Sequence, residues 1–193
     1  MFAVHSHFQS CSSPYPTRGF SLIELLIVVA IAAILIGMAV PNLKTFIENN
    51  RLATASDELY SAIVYTRSEA VKRRDNVTLC ARNSNASLTC ESTGSSADYA
   101  NGWLAFVDCN NNGVYDACDT DGDGVADTQE ELLKVTAAFD GNLSITNSNT
   151  TTPNIKFDMA GRARAGVGTL TISANSHIYK TLEVIRSGNT YFN

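Results

Sequence analysis

The chain has 193 residues, 45% of them apolar, with five cysteines, three histidines and a formal net charge of −5. That length suits one globular domain with an appendage. The acidic balance excludes a protein that holds nucleic acid by its bulk charge, so any affinity for phosphate has to come from a local basic patch. The sequence also carries no G-x-S-x-G, no P-loop and no H-E-x-x-H, and no enzymatic chemistry is expected of it.

In chain order, a polar stretch comes first and ends in Pro-Tyr-Pro-Thr-Arg18-Gly19. From Leu25 to Leu43 no charged residue occurs, close to the ~20 residues a helix needs to cross hydrocarbon. An ordinary secretory signal would have a shorter apolar core followed by a small-residue cleavage site. Here the run continues past Gly37 and Met38 to Pro41 and then into an amphipathic stretch. Glu24 lies one turn into this helix, where a carboxylate is costly unless it meets a partner. Either it snorkels to the interface or it neutralises the free α-amino group of a neighbouring subunit. Arg18 precedes the span and the large domain follows it, so the positive-inside rule keeps the N-terminal segment cytoplasmic and places the head outside.

Arg18-Gly19-Phe20-Ser21-Leu22-Ile23-Glu24-Leu25-Leu26 resembles the prepilin signature of type IV pilins and type II secretion pseudopilins. The resemblance implies cleavage by a prepilin peptidase between Gly19 and Phe20, methylation of Phe20 and a filament-forming role for Glu24. It also places Pro41 where such pilins kink. His5, His7 and Cys11 would leave with the leader. His177, in a Ser/Asn turn, is then read as a solvated imidazole.

Beyond Pro41 the helix is expected to continue. Leu52, Ala55, Leu59, Ala62, Ile63, Thr66 and Ala70 recur at steps of three and four and make one apolar face. Asp57, Glu58, Arg67, Glu69 and Lys72 fall on the other faces. Lys72-Arg73-Arg74 closes the pattern, where cations suit a helix C-terminus. Phosphate binding is the competing reading of that triplet. Strands are expected at Val77 to Ala81, Trp103 to Val107, Leu132 to Phe139, Leu143 to Thr146, Ile155 to Phe157, Thr169 to Ile172 and Ile178 to Ile185. The expected fold class is α+β, pilin-like: a long N-terminal helix, transmembrane and then amphipathic, packed on an antiparallel β-sheet head. The segments are a leader at 1–19, a transmembrane part at 20–42, an amphipathic part at 43–75 and a β-rich head at 76–193 with an acidic loop at 108–131.

Cys80, Cys90, Cys109 and Cys118 lie downstream of the span and reach an oxidising compartment if it crosses a membrane. Four cysteines allow three pairings. Cys80–Cys90 and Cys109–Cys118 are favoured because both loops are short and local. A zinc site competes poorly, since neither spacing is C-x₂₋₄-C and no histidine lies nearby.

Ser68-Glu69-Ala70 before the strand ending Leu79-Cys80, Gly102-Trp103-Leu104-Ala105-Phe106-Val107-Asp108, Asn112-Gly113 and Gly161-Arg162-Ala163-Arg164 together resemble the FimT/GspH family of minor pilins and minor pseudopilins. On an extended segment Arg162 and Arg164 point to one side about 7 Å apart, near the separation of successive phosphates, and arginine forks bind phosphate bidentately. In FimT-type proteins this element is associated with capture of double-stranded DNA in natural transformation. Lys180 and Arg186 would widen the patch if they share its face. Pairing with local acids such as Asp158 or Glu183 is the competing account. The resemblance implies a minor pilin at or near the tip of a type IV pilus, anchored in the inner membrane with its head in the periplasm, and partnered by other pilins. Its alternative is a minor pseudopilin that contacts secreted protein.

Asp119, Asp121, Asp123, Gly124, Val125, Asp127 and Glu130 fit the twelve-residue calcium-loop template, in which six or more oxygens converge on one hard cation. A weaker copy overlaps it upstream: Asp108, Asn110, Asn112, Gly113, Asp116 and Asp119. Members of the family resembled carry only the shorter Asp/Asn-Gly loop, so calcium is expected from the spacing alone. A solvated turn between two strands is the bland alternative.

Overall fold

The computed structural model describes residues 19–84, 86–91, 97–119, 121, 123–139, 141–149, 151–175 and 177–193, with 39–42 as backbone alone. Residues 1–18, including Arg18, His5, His7 and Cys11, lie outside the described residues. Two compact units divide the chain between Thr45 and Phe46.

Helix α1 (Leu22–Arg73) starts in the first unit and runs through Pro41. Ser21 opens it, its carbonyl accepting from the Leu25 amide at 3.2 Å. In the first unit every described large apolar side chain from Phe20 to Leu43 is more than half exposed, Ile31 least at 53%. That much bare apolar surface on one helix requires a hydrocarbon or protein surrounding.

In the second unit, α1 has one buried face. Leu52, Ala55, Leu59, Ala62, Ile63, Thr66 and Ala70 are all buried, the set that the three-and-four spacing picks out. Thr66 is tolerated there because its hydroxyl donates to the Ala62 carbonyl at 2.7 Å. The helix ends as Arg74 turns left-handed (φ 58°) and the Asp75 amide reaches back to the Ala70 carbonyl, the six-to-one bond of a Schellman cap. Lys72 and Arg73 pair with Glu69 at 3.3 and 2.7 Å, and Arg73 also pairs with Glu131 at 2.6 Å. The basic triplet is therefore partly occupied within the fold. Its hydrogen bond from Arg73, foremost, holds the Glu69 carboxyl below its ordinary range, against the opposing effect of burial.

The strands are β1 (Val77–Ala81), β2 (Trp103–Val107), β3 (Ala117–Cys118), β4 (Thr128–Gln129), β5 (Leu132–Thr136), β6 (Leu143–Asn147), β7 (Ile155–Phe157), β8 (Ala163–Ala165), β9 (Gly168–Ala174), β10 (His177–Val184) and β11 (Thr190–Phe192). A single sheet is too simple. The strands form a five-stranded sheet ordered β5-β2-β1-β7-β8 and a four-stranded sheet ordered β11-β10-β9-β6, with β3-β4 as a small third ribbon; the registered pairs are antiparallel. The expected strand to Phe139 stops at Thr136.

The apolar face of α1 and inward residues of both large sheets, among them Leu79, Trp103, Ile155, Leu170, Ile172 and Leu182, form one core. Burying each large aliphatic side chain contributes about 1.5–3 kcal/mol. Asp98 ties the turn before β2 to β6: its carboxylate accepts from the amides of Ala100 and Ile145 and from the Ser144 hydroxyl at 2.8–3.1 Å. Disulfides join Cys80 to Cys90 and Cys109 to Cys118.

Candidate functional site

The Gly-Arg-Ala-Arg element sits at a sheet edge. β8 is the last strand of the five-stranded sheet, and Ala163 points inward while Arg162 and Arg164 point out. Both arginines meet one acid, Asp158. Arg162 reaches its Oδ2 with Nε and Nη2, each at 3.0 Å, and Arg164 reaches the same oxygen with Nε at 2.7 Å. Asp158 Oδ1 accepts from the amides of Ala160 and Arg162. Burial pushes this carboxyl's pKa up, but the Arg162 amide, the two guanidiniums and the Ala160 amide outweigh it and the net shift is down.

The arginines are positioned without being covered: their side chains stay 57% and 56% exposed. With Arg186, Asn149, Thr152 and Val167 they line an open groove of about 520 Å³. Arg186 joins β8 directly, its carbonyl accepting from the Ala163 amide at 3.1 Å. Asn149 and Thr152 come from a polar loop with no local signal to mark it.

Lys180 does not belong to this groove. Its Nζ stands 3.8 Å from the centroid of the Phe192 ring. Lys180 pairs with Ile172 in the same register as Leu182 with Leu170 and Val184 with Gly168, and so lies on the row that faces the core. Glu183, the second acid considered as a partner for the arginines, accepts instead from Asn193.

In the acidic loop, the carboxylates of Asp119, Asp121 and Asp127 come within 4.8 Å of one another. Asp119 accepts from the Gly124 amide, Asp121 from that of Asp123, and Asp123 from that of Val125. Gly124 has φ +87°, the left-handed turn that the template assigns to glycine. Glu130 departs from the expected ligand set. It is only 5% exposed and faces the other way, accepting from the amides of Cys109 and Asp116 at 3.1 and 3.2 Å. Burial foremost pushes its carboxyl up to about 7; the charges of Asp108 and Asp116 add to this, and the amides of Asp116 and Cys109 oppose it.

The upstream copy is closed by a side chain. Asp108 is fully buried and its Oδ2 receives the Thr78 hydroxyl at 2.7 Å, the Gly113 amide at 3.0 Å and the Lys156 ammonium at 3.3 Å. Lys156 also donates to the Asn111 carbonyl at 2.6 Å. Asp116 is taken by the side-chain amides of Asn110 and Asn112. A lysine on β7 thus supplies the counter-charge of Asp108, the first position of the upstream copy.

At the N-terminus, Gly19 and Phe20 precede the first helical turn and Glu24 lies within it.

A family model described as type II transport protein GspH matches residues 55–188, more than half of the chain, and the prokaryotic N-terminal methylation motif matches residues 16–40. No curated protein matches the chain. Among solved structures, the chain is similar to the type IV minor pilin FimU of Pseudomonas aeruginosa strain PAO1. The two are 18% identical, with a TM-score of 0.51 over 77% of this chain and 92% of that one. A second crystal form of FimU aligns at 16% identity and a TM-score of 0.48, over 73% and 91% of the two chains. At this identity the likeness speaks for the fold. The methylation motif and the pilin fold together support processing by prepilin peptidase and assembly with other pilins, and proteins of this kind are structural subunits, not enzymes. The chain belongs to the FimT/GspH family of type IV pilin-like proteins.

Proposed function

We propose that the protein is a minor pilin at or near the tip of a type IV pilus, whose head contacts double-stranded DNA through Arg162, Arg164 and Arg186. Before assembly it is anchored in the inner membrane by the helix from Phe20, with the head in the periplasm. One observation carries the DNA reading: three arginines share an open groove, and two are aligned by a common carboxylate yet remain more than half exposed. Asp158 fixes the Nε edges of the two forks and so lowers the ordering cost of meeting a phosphate. Natural transformation is the process that such binding would serve.

The test is the affinity of the full-length protein in detergent for duplex DNA across a salt series. Changing Arg162 and Arg164 together to alanine is expected to weaken binding at least tenfold. The dependence of log K on log salt should also become shallower by about two, one for each phosphate left without its arginine. Unchanged affinity removes the DNA reading.

The second reading, a minor pseudopilin that contacts secreted protein, is favoured by the description of the matching family as a type II transport protein. It does not require the arginine pair.

The acidic loop is proposed to take calcium through Asp119, Asp121 and Asp127, without Glu130. The support is the convergence of three carboxylates around a glycine turn.

A further inference from the structure

Two turns carry the arginine groove, and one side chain of α1 ties them together. Arg67 donates from Nε to the Gly161 carbonyl at 2.9 Å, from Nη1 to Asn189 Oδ1 at 3.0 Å and from Nη2 to the Ser187 carbonyl at 3.3 Å. Gly161 immediately precedes Arg162. Ser187 and Asn189 belong to the turn that begins at Arg186. A single guanidinium therefore spans the start of the Arg162–Arg164 segment and the turn that presents Arg186.

The backbone around it leaves no slack. Gly161 has φ +72°, and a Cβ there would lie 2.9 Å from Val71 Cγ2 and 3.2 Å from Arg67 Nε. Gly188 has φ +85°, and its Cβ would come within 1.9 Å of the Gly161 carbonyl oxygen. Both glycines are thus required where the two turns cross over the helix. The glycine of the Gly-Arg-Ala-Arg element serves packing against α1 as well as any approach of a ligand.

We propose that Arg67 is the positioning residue of the arginine groove. It sets the spacing of Arg162 and Arg164 relative to Arg186 by holding their two turns on α1. This rests on the DNA reading above. Three of the five N–H donors of the Arg67 guanidinium point to protein acceptors, so it acts through the other arginines and does not itself meet phosphate. The role needs a planar fork with diverging donors, which lysine does not offer.

The experiment uses the full-length protein in detergent, with Arg67→Gln and Arg67→Lys, at a temperature well below the melting point of each. Both variants are expected to bind duplex DNA about tenfold more weakly, on the scale of losing one or two net hydrogen bonds. Lysine is expected to give no rescue, although it keeps the charge. The Nε–Hε resonances of Arg162 and Arg164 should shift in both. Added to Arg162→Ala plus Arg164→Ala, Arg67→Gln should cost little more, the non-additivity expected of coupled residues.

Wild-type affinity in Arg67→Lys, or a full additive loss in the triple variant, overturns the proposal. If either Arg67 variant does not fold, Asn189→Ala, which removes one acceptor, is read in its place by the same measures. If the Arg162/Arg164 variant binds like wild type, the DNA reading has failed. The arginine resonances then decide the positioning role: unchanged Arg162 and Arg164 signals in Arg67→Gln overturn it, and shifted ones support it.

Discussion

The two stretches at 108–116 and 119–130 share one spacing of acids, amides and glycine but meet it in opposite ways. In the first, Asp108 is fully buried and a lysine from β7 supplies the positive charge. In the second, Asp119, Asp121 and Asp127 are exposed to solvent. Burial accounts for the difference. A carboxylate inside the fold needs its counter-charge built into the chain, whereas exposed carboxylates keep much of their hydration. Glu130 crosses the boundary between the two: counted with the second stretch by position, it braces the first by accepting the amides of Cys109 and Asp116. Calcium-like spacing thus reports how a turn is shaped, while the side chains packed over it decide what neutralises it.

The largest effect expected from this contrast is at Lys156. Lys156→Met leaves Asp108 buried without its ammonium and should destabilise the protein by about 3–5 kcal/mol, read by chemical or thermal melting. Adding Asp108→Asn should recover part of that loss. A mild effect of Lys156→Met alone would break the contrast.

Next comes the acidity of Glu130. Its folded pKa of about 7 lies above the ordinary carboxylate value of 4.5, so the folded protein takes up the proton first. The stability tied to this group is complete below pH 4.5 and lost as pH rises through 7. Melting in EDTA should therefore show a decline across that window that Glu130→Gln flattens. Parallel curves for the two proteins would assign the decline elsewhere.

Calcium should act more weakly. An exposed site filled at about ten times its dissociation constant adds roughly 1.4 kcal/mol. Melting in millimolar calcium should exceed melting in EDTA by a few degrees, and Asp119→Ala plus Asp121→Ala should abolish the gap. Equal curves for the wild type would remove calcium from the loop.

The smallest effect belongs to the neighbour that points outward. Glu131→Gln breaks an exposed pair with Arg73 and should cost under about 1 kcal/mol. A loss as large as that of a buried pair would show that exposure is the wrong criterion.

Much of this architecture is legible in the sequence where a period runs long enough. The buried face of α1 follows from Leu52 to Ala70, and β1, β2 and β7 lie where their β-branched and aromatic residues put them. The strands β3, β4, β8 and β11 span two or three residues each, too few to establish an alternation. The division into two sheets depends on pairings such as Leu79 with Ile155, and nothing in either segment announces the other. At the groove, charge and spacing pick out Arg162, Arg164 and Arg186. Lys180 does not join them, because regular alternation with Leu182 and Val184 puts it on the core-facing row of β10. Arg67 reads only as a polar helix residue, since its acceptors are backbone carbonyls and an amide far along the chain. Lys156, flanked by Ile155 and Phe157, carries one hint: a lone cation inside a buried strand asks for a buried acid.

The ammonium of Lys156 travels with the polypeptide, so chelators and dilution cannot strip it from Asp108. The cost falls on timing. Its acceptor at Asn111 is made 45 residues earlier, so the turn is synthesised well before its counter-charge arrives. Its completion therefore waits until β7 docks beside β1.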